Sequence, residues 1–191
     1  MSSEIKVDKI SPASGTSFTF GDSGDTFTVP SGATIANSGT ATGFGGANTP
    51  NFRATLSAQS ATLSGGTWTK ISPNTEAYDS DSAYTGGTFT VPSGKGGLYF
   101  IYANAYFSHT SVLRPQIAFY VNGSRVYTRG LYDENVNVAG YPEVVAMAIL
   151  NLSATNTVEF YVRTSGADVE IYGDSSLENH PATFGAFKLI S

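Results

Sequence analysis

Cysteine is missing from all 191 residues, which excludes disulfides, thiolate catalysis and Cys-based zinc or iron–sulfur sites. Histidine is almost missing too: His109 sits at a strand end and His180 precedes Pro181 in a loop. Both read as exposed loop residues, and no serine lies in a G-x-S-x-G elbow that would serve a Ser–His–Asp set. Charge is scarce, at 13% of residues against roughly 25% in an average domain. Its balance is −5 with no Lys or Arg run, so a nucleic-acid partner is not expected. The longest apolar run, Val144 to Leu150, is far short of the ~20 residues that span a bilayer, so membrane insertion is not expected. The start, MSSEIKVDKI, lacks the basic-then-apolar order of a Sec-type signal peptide. No Gly-Lys-Ser/Thr follows a strand, and Gly94-Lys95-Gly96-Gly97 reads as a turn rather than a phosphate loop.

Ser, Thr and Gly, by contrast, number 23, 22 and 21, a third of the chain. That excess disfavours long helices and favours short strands joined by tight turns. The 12 Phe and 11 Tyr are enough for one real core. Residues 11–51 are the most biased stretch: 22 of 41 are Ser, Thr or Gly, and Asp22 and Asp25 are the only charges. Within it, TSFTF and TFTV alternate apolar and polar residues between Gly-Asp and Pro-Ser-Gly turn signals, which predicts small hairpins. Hairpins of that size bury too little to stand alone, so they need copies of themselves or a partner surface. Ahead of them, Ile5 and Val7 alternate with Lys6 and Asp8 as in an edge or docking strand. The linker-like run Gly39–Asn48 places a domain boundary near residue 48, giving an N-terminal attachment segment (1–48) and a C-terminal domain (49–191).

Strands lengthen beyond the boundary. Alternation and turn signals predict them at Phe52–Ser57, Trp68–Ile71, Thr88–Val91, Gly97–Phe107, Gln116–Val121, Val126–Leu131, Val144–Leu152, Val158–Val162, Val169–Tyr172 and Phe184–Ile190. Asn122-Gly123 is the strongest hairpin signal among them. About ten strands at this spacing indicate an all-β sandwich. At Pro142–Leu150 a helix starting from Pro-Glu is the alternative. The heptapeptide TFTVPSG occurs at 26–32 and again at 88–94, and reads as one strand-then-turn idiom used twice.

The succession Phe52, Ala54, Trp68-Thr69-Lys70-Ile71, Tyr84, Phe89-Thr90-Val91-Pro92, Gly97-Leu98-Tyr99-Phe100, Tyr120-Val121-Asn122-Gly123, Leu150-Asn151-Leu152, Val158-Glu159-Phe160 and Phe184-Gly185-Ala186-Phe187-Lys188-Leu189 resembles the complement globular head and its tumour-necrosis-factor-like relatives. The resemblance covers residues 51–191 and implies a ten-stranded, trimeric jelly roll. Leu152–Val158 departs from it where relatives often carry a Gly-Asp turn. The segment Ile5–Ile10 with GDSGDTFTVPSGAT resembles the N-terminal segments of tailed-phage fibre and head-decoration proteins. It implies docking to a virion through Ile5, Val7, Ile10, Phe18, Phe20 and Phe27, with the protein made in the host cytoplasm.

Large apolar residues on both faces of one strand ask for a second burial surface. Tyr99, Ile101 and Phe107, with Val145, Met147 and Ile149, are therefore expected at a homotrimer interface. The loops 74–85, 108–115, 131–141 and 165–181 hold Tyr78, Tyr84, Tyr132, Tyr141 and Tyr172, candidates for stacking on a host glycan or filling a protein pocket. Asp79 and Asp81, with Asp133 and Glu134, are the calcium candidates, a resident cofactor otherwise not being expected. The expected function is a non-enzymatic virion knob or fibre; a head-decoration protein and a secreted lectin-like module are the alternatives.

Overall fold

Residues 10–17, 19–36, 38, 48–60, 62–108, 114–130, 142–166, 168–175 and 181–189 are described in a computed structural model. The chain divides into two units, residues 1–44 and 45–191. In the first, the described residues form turns and no strand. Asp25 donates its backbone N–H to the Asp22 carbonyl at 3.1 Å, and Ala33 donates to Pro30 at 3.1 Å. The hairpins expected here are therefore not formed among the described residues, because no second strand supplies a ladder. Ile10, Phe20 and Phe27 are exposed, the two rings 5.5 Å apart. Ile5, Val7 and Phe18 lie outside the described residues.

The second unit holds twelve strands among its described residues and no helix. They are β1 (Asn51–Thr55), β2 (Thr69–Ile71), β3 (Thr75–Asp79), β4 (Tyr84–Thr85), β5 (Thr88–Thr90), β6 (Gly97–Ser108), β7 (Gln116–Val121), β8 (Ser124–Gly130), β9 (Glu143–Leu152), β10 (Thr157–Arg163), β11 (Glu170–Ile171) and β12 (Thr183–Lys188). The helix alternative at 142–150 gives way to β9, whose exposed and buried residues alternate with period 2. The two strands beyond the ten expected are β3 and β4, in a stretch read as an exposed loop. Sequence TEAYD on β3 has no buried residue, which leaves no apolar alternation to read.

One sheet runs β3-β1-β12-β6, with β9 and β11 sharing the far edge of β6. The other runs β4-β5-β10-β7-β8, with β2 joining β5 on one edge of β10. All pairings are antiparallel. Asn122 and Gly123 turn β7 into β8 with φ of 49° and 76°, the doubly positive backbone of a type I′ turn. The core lies between the sheets. Phe184 on β12 sits at its centre, with ring centroids 5.1 Å from Phe52, 5.4 Å from Phe160, 6.0 Å from Tyr84 and 6.4 Å from Phe119.

On the outside of the second sheet, Lys70 on β2 bonds Glu159 on β10 at 2.7 Å, and the Thr88 hydroxyl donates to the same carboxylate oxygen at 2.9 Å. Burial alone would raise the Glu159 carboxyl, but hydrogen bonds from Lys70 and Thr88 bring it below its ordinary value. A carboxylate held low stabilises the fold above its unfolded pKa, and that contribution is lost as pH falls through the folded value. Denaturant titrations at several pH values should therefore find Glu159→Gln less stable than the parent at neutral pH. The gap should shrink towards zero as pH drops below 4.5; a gap independent of pH would show that the charge contributes nothing.

Candidate interaction face

Strand β6 divides its side chains strictly. Tyr99, Ile101, Ala103, Ala105 and Phe107 are buried in the core, while Phe100, Tyr102, Asn104 and Tyr106 face outward, half-covered. Register carries the outward set onto β9, where Phe100 pairs with Ile149, Tyr102 with Met147, Asn104 with Val145 and Tyr106 with Glu143. On β12, Phe187 lies opposite Phe100 and Gly185 opposite Tyr102. Next across is β1, with Arg53 opposite Gly185, and then β3, with Tyr78 opposite Arg53. A bulge between Arg53 and Ala54 sets that last alignment.

This outer face corrects the expected interface. Tyr99, Ile101 and Phe107 are wholly within the core and cannot reach a second chain. The register also puts them on the opposite side of the sheet from Val145, Met147 and Ile149, so the six never form one surface. Val145, Met147 and Ile149 are 44%, 54% and 61% exposed, with Leu98 at 46%. Beside them the Phe100 and Phe187 rings pack 5.2 Å apart. Together these residues make an apolar stripe along one end of the face, and an open concavity of about 520 Å³ beside it is lined by Phe100, Val145, Met147 and Phe187 together with Tyr102, Ala103, Asn104 and Glu143.

The other end is polar. Arg53, Tyr78, Tyr102, Asn104, Tyr106 and Glu143 line a pocket of about 470 Å³. Asn104 donates its amide to Glu143 at 3.1 Å. Burial, reinforced by a hydrogen bond with Tyr78, pushes the Tyr102 phenol up to about 12. Its ring lies over Gly185, where a Cβ would collide with it. Gly185→Ala should therefore fold but expel Tyr102 into water, returning its ionisation towards 10.0 in an ultraviolet alkaline titration. An unmoved phenol would show that the ring does not depend on the missing Cβ.

The tyrosine candidates separate. Tyr78 is 49% exposed on β3 and lines the polar pocket. Tyr84 is buried, stacked on Phe52 at 4.6 Å, and donates its hydroxyl to the Pro73 carbonyl at 2.7 Å. It is a core residue rather than a binding one, because the loop expected around it is strand. Tyr172 is half-buried and donates to Asp174 at 3.1 Å. Tyr132 and Tyr141 lie outside the described residues, as do Asp133 and Glu134. Asp79 is engaged locally: its carboxylate accepts the backbone N–H of Ala83 at 3.0 Å and of Tyr84 at 2.8 Å, closing the β3–β4 turn. Asp81 accepts the Ser80 hydroxyl at 2.6 Å and lies 3.9 Å from Lys95. Among the described residues, no three His, Asp or Glu side chains gather as a metal site.

Sequence reasoning missed Arg53, Asn104 and Glu143 as members of this face. It also missed an aromatic cluster on the second sheet, where Arg125 covers the Trp68 ring at 5.2 Å and Tyr120 stacks on Tyr161 at 4.0 Å. Parity was the available signal. Asn104 shares it with Phe100, Tyr102 and Tyr106, and Glu143 with Val145, Met147 and Ile149, and polar members mark the wet side.

Two packed antiparallel sheets, one with an apolar outer stripe, form a jelly-roll sandwich. No protein-family model matches the chain, and no curated protein matches it. Among solved structures it is similar to the globular domain of zebrafish complement 1qA protein. Identity is 16% over 73% of this chain and 97% of that one, with a TM-score of 0.53. Murine APRIL is similar at 14% identity, covering 73% and 99% of the two chains, with a TM-score of 0.49. Eiger TNF from S. frugiperda is similar at 15% identity, covering 73% and 90%, with a TM-score of 0.46. The complement likeness establishes the fold: residues of the second unit form a complement-head-like jelly roll.

Proposed function

We propose that this chain is a non-enzymatic structural protein of a phage particle. Three copies pack through the outer face of the β3-β1-β12-β6-β9 sheet to form a projecting knob. The observation that carries this reading is the apolar stripe of Leu98, Phe100, Val145, Met147, Ile149 and Phe187 on a sheet already buried on its other side. A contiguous apolar face of that kind marks an association surface. The stripe recurs on every copy, which suits a second copy better than a small ligand. Residues 1–48 dock the knob to other virion proteins, a reading supported by Ile10, Phe20 and Phe27, which are exposed to solvent. The exposed remainder of the jelly roll is left to meet a host glycan or protein.

Cryo-electron microscopy of the intact particle tests the assignment. A few trimers at the tail with the jelly roll outermost would support host attachment. Trimers spread over the head would replace that role with shell decoration, and absence from the particle would overturn the virion reading in favour of a lectin-like module.

A further inference from the structure

Apolar contact alone does not fix how copies are oriented, because burial of apolar area is non-directional. The polar end of the same face carries a directional element. Arg53 is half-buried on β1, and among the described residues its guanidinium makes no ion pair. Glu143 is exposed at the start of β9, and it is the carboxylate among the described residues lining the pocket that Arg53 also lines. The two strands are separated by β12 and β6, three interstrand steps or about 14 Å. A cation thus stands on β1, one strand in from the β3 edge of the face, and an anion on β9 at its other edge, with no ion pair between them.

That arrangement matters for closure. In a ring of identical copies, contacts are heterologous: one flank of each subunit meets the opposite flank of the next. Covering the face also strips water from Arg53, which is costly unless a carboxylate replaces it. We infer that Arg53 of one copy pairs with Glu143 of its neighbour, and that this pair sets the direction and register of the ring. The inference rests on the self-association proposed above and names the residues that orient it. Asn104 serves as a positioning residue, since its amide holds the Glu143 carboxylate against β6. A guanidinium meeting a carboxylate can bond it through two parallel N–H groups, which gives the contact its geometry.

Charge reversal with mixing is the test, read by sedimentation velocity on the full chain. Arg53→Glu and Glu143→Arg should each raise the dissociation constant of the trimer at least about tenfold, by placing like charges in every interface. Mixed together, the two reversed chains should reassemble, because two of three interfaces in a mixed ring are then matched. Neutral variants give a control that does not depend on tolerating a reversed charge: Arg53→Gln and Glu143→Gln should be non-additive in a double-mutant cycle. Reversed chains that remain trimeric, or neutral variants that add independently, would overturn the pairing and leave the trimer standing. Reversed chains that dissociate and fail to reassemble on mixing would show that the two residues do not meet across the interface, which also overturns the pairing. A parent chain that is monomeric would instead overturn the self-association beneath it.

Discussion

Phe184→Ala should cost the jelly roll about 3–5 kcal/mol, the range for emptying a fully buried phenylalanine site. Four aromatic rings contact Phe184, from both sheets, so no single neighbour can move in to fill the space. Each sheet is stiffened by its own ladders, which limits collapse further. Set against a total stability of roughly 5–15 kcal/mol, the loss should lower Tm by roughly 6–20 °C. Calorimetry on a monomeric background is the appropriate measurement, since association would add its own concentration-dependent stability. A loss below about 1 kcal/mol would mean that the ring cluster is not the centre of the core.

That monomeric background is itself the second prediction. Met147→Asp with Ile149→Asp should abolish assembly while leaving the fold intact. Both side chains are more than half exposed in the single chain, so substitution removes no core contact. Exposed substitutions of this kind stay within about 0.5 kcal/mol. In an interface the same two carboxylates would be desolvated against Phe100 and Tyr102, without a partner charge. The dissociation constant should rise at least about 100-fold, near 2.7 kcal/mol. Light scattering against concentration, with circular dichroism to confirm the fold, reads both parts. A doubly substituted chain that assembles as the parent does would remove β9 from the interface.

How much of this was legible in the residues can be judged from TFTVPSG. Both copies turn at Pro-Ser-Gly in the same way, with the residue after Gly donating its backbone N–H to the proline carbonyl at 3.1 Å. Only the second copy forms a strand, because β4 and β10 flank Thr88–Thr90, whereas residues 26–29 have no ladder partner among the described residues. Turn chemistry is local and readable; strand formation depends on partners that a heptapeptide does not contain. The same limit governs the interaction face. The number and spacing of the strands pointed to an all-β sandwich, and the two apolar sides of β6 and β9 pointed to a second burial surface. Which side turns inward is decided by pairing register, and there the choice of Tyr99, Ile101 and Phe107 failed. Arg53 stood as a lone charge in a five-residue strand, and only the bulge that aligns it with Tyr78 gives it a setting.

Sedimentation equilibrium of the full chain tests the central claim most directly. Association through the outer sheet face predicts a species of three times the 20.0 kDa chain mass, persisting at micromolar concentration and dissociating when Met147 and Ile149 become aspartate. A single species at the mass of one chain across that concentration range would contradict the account.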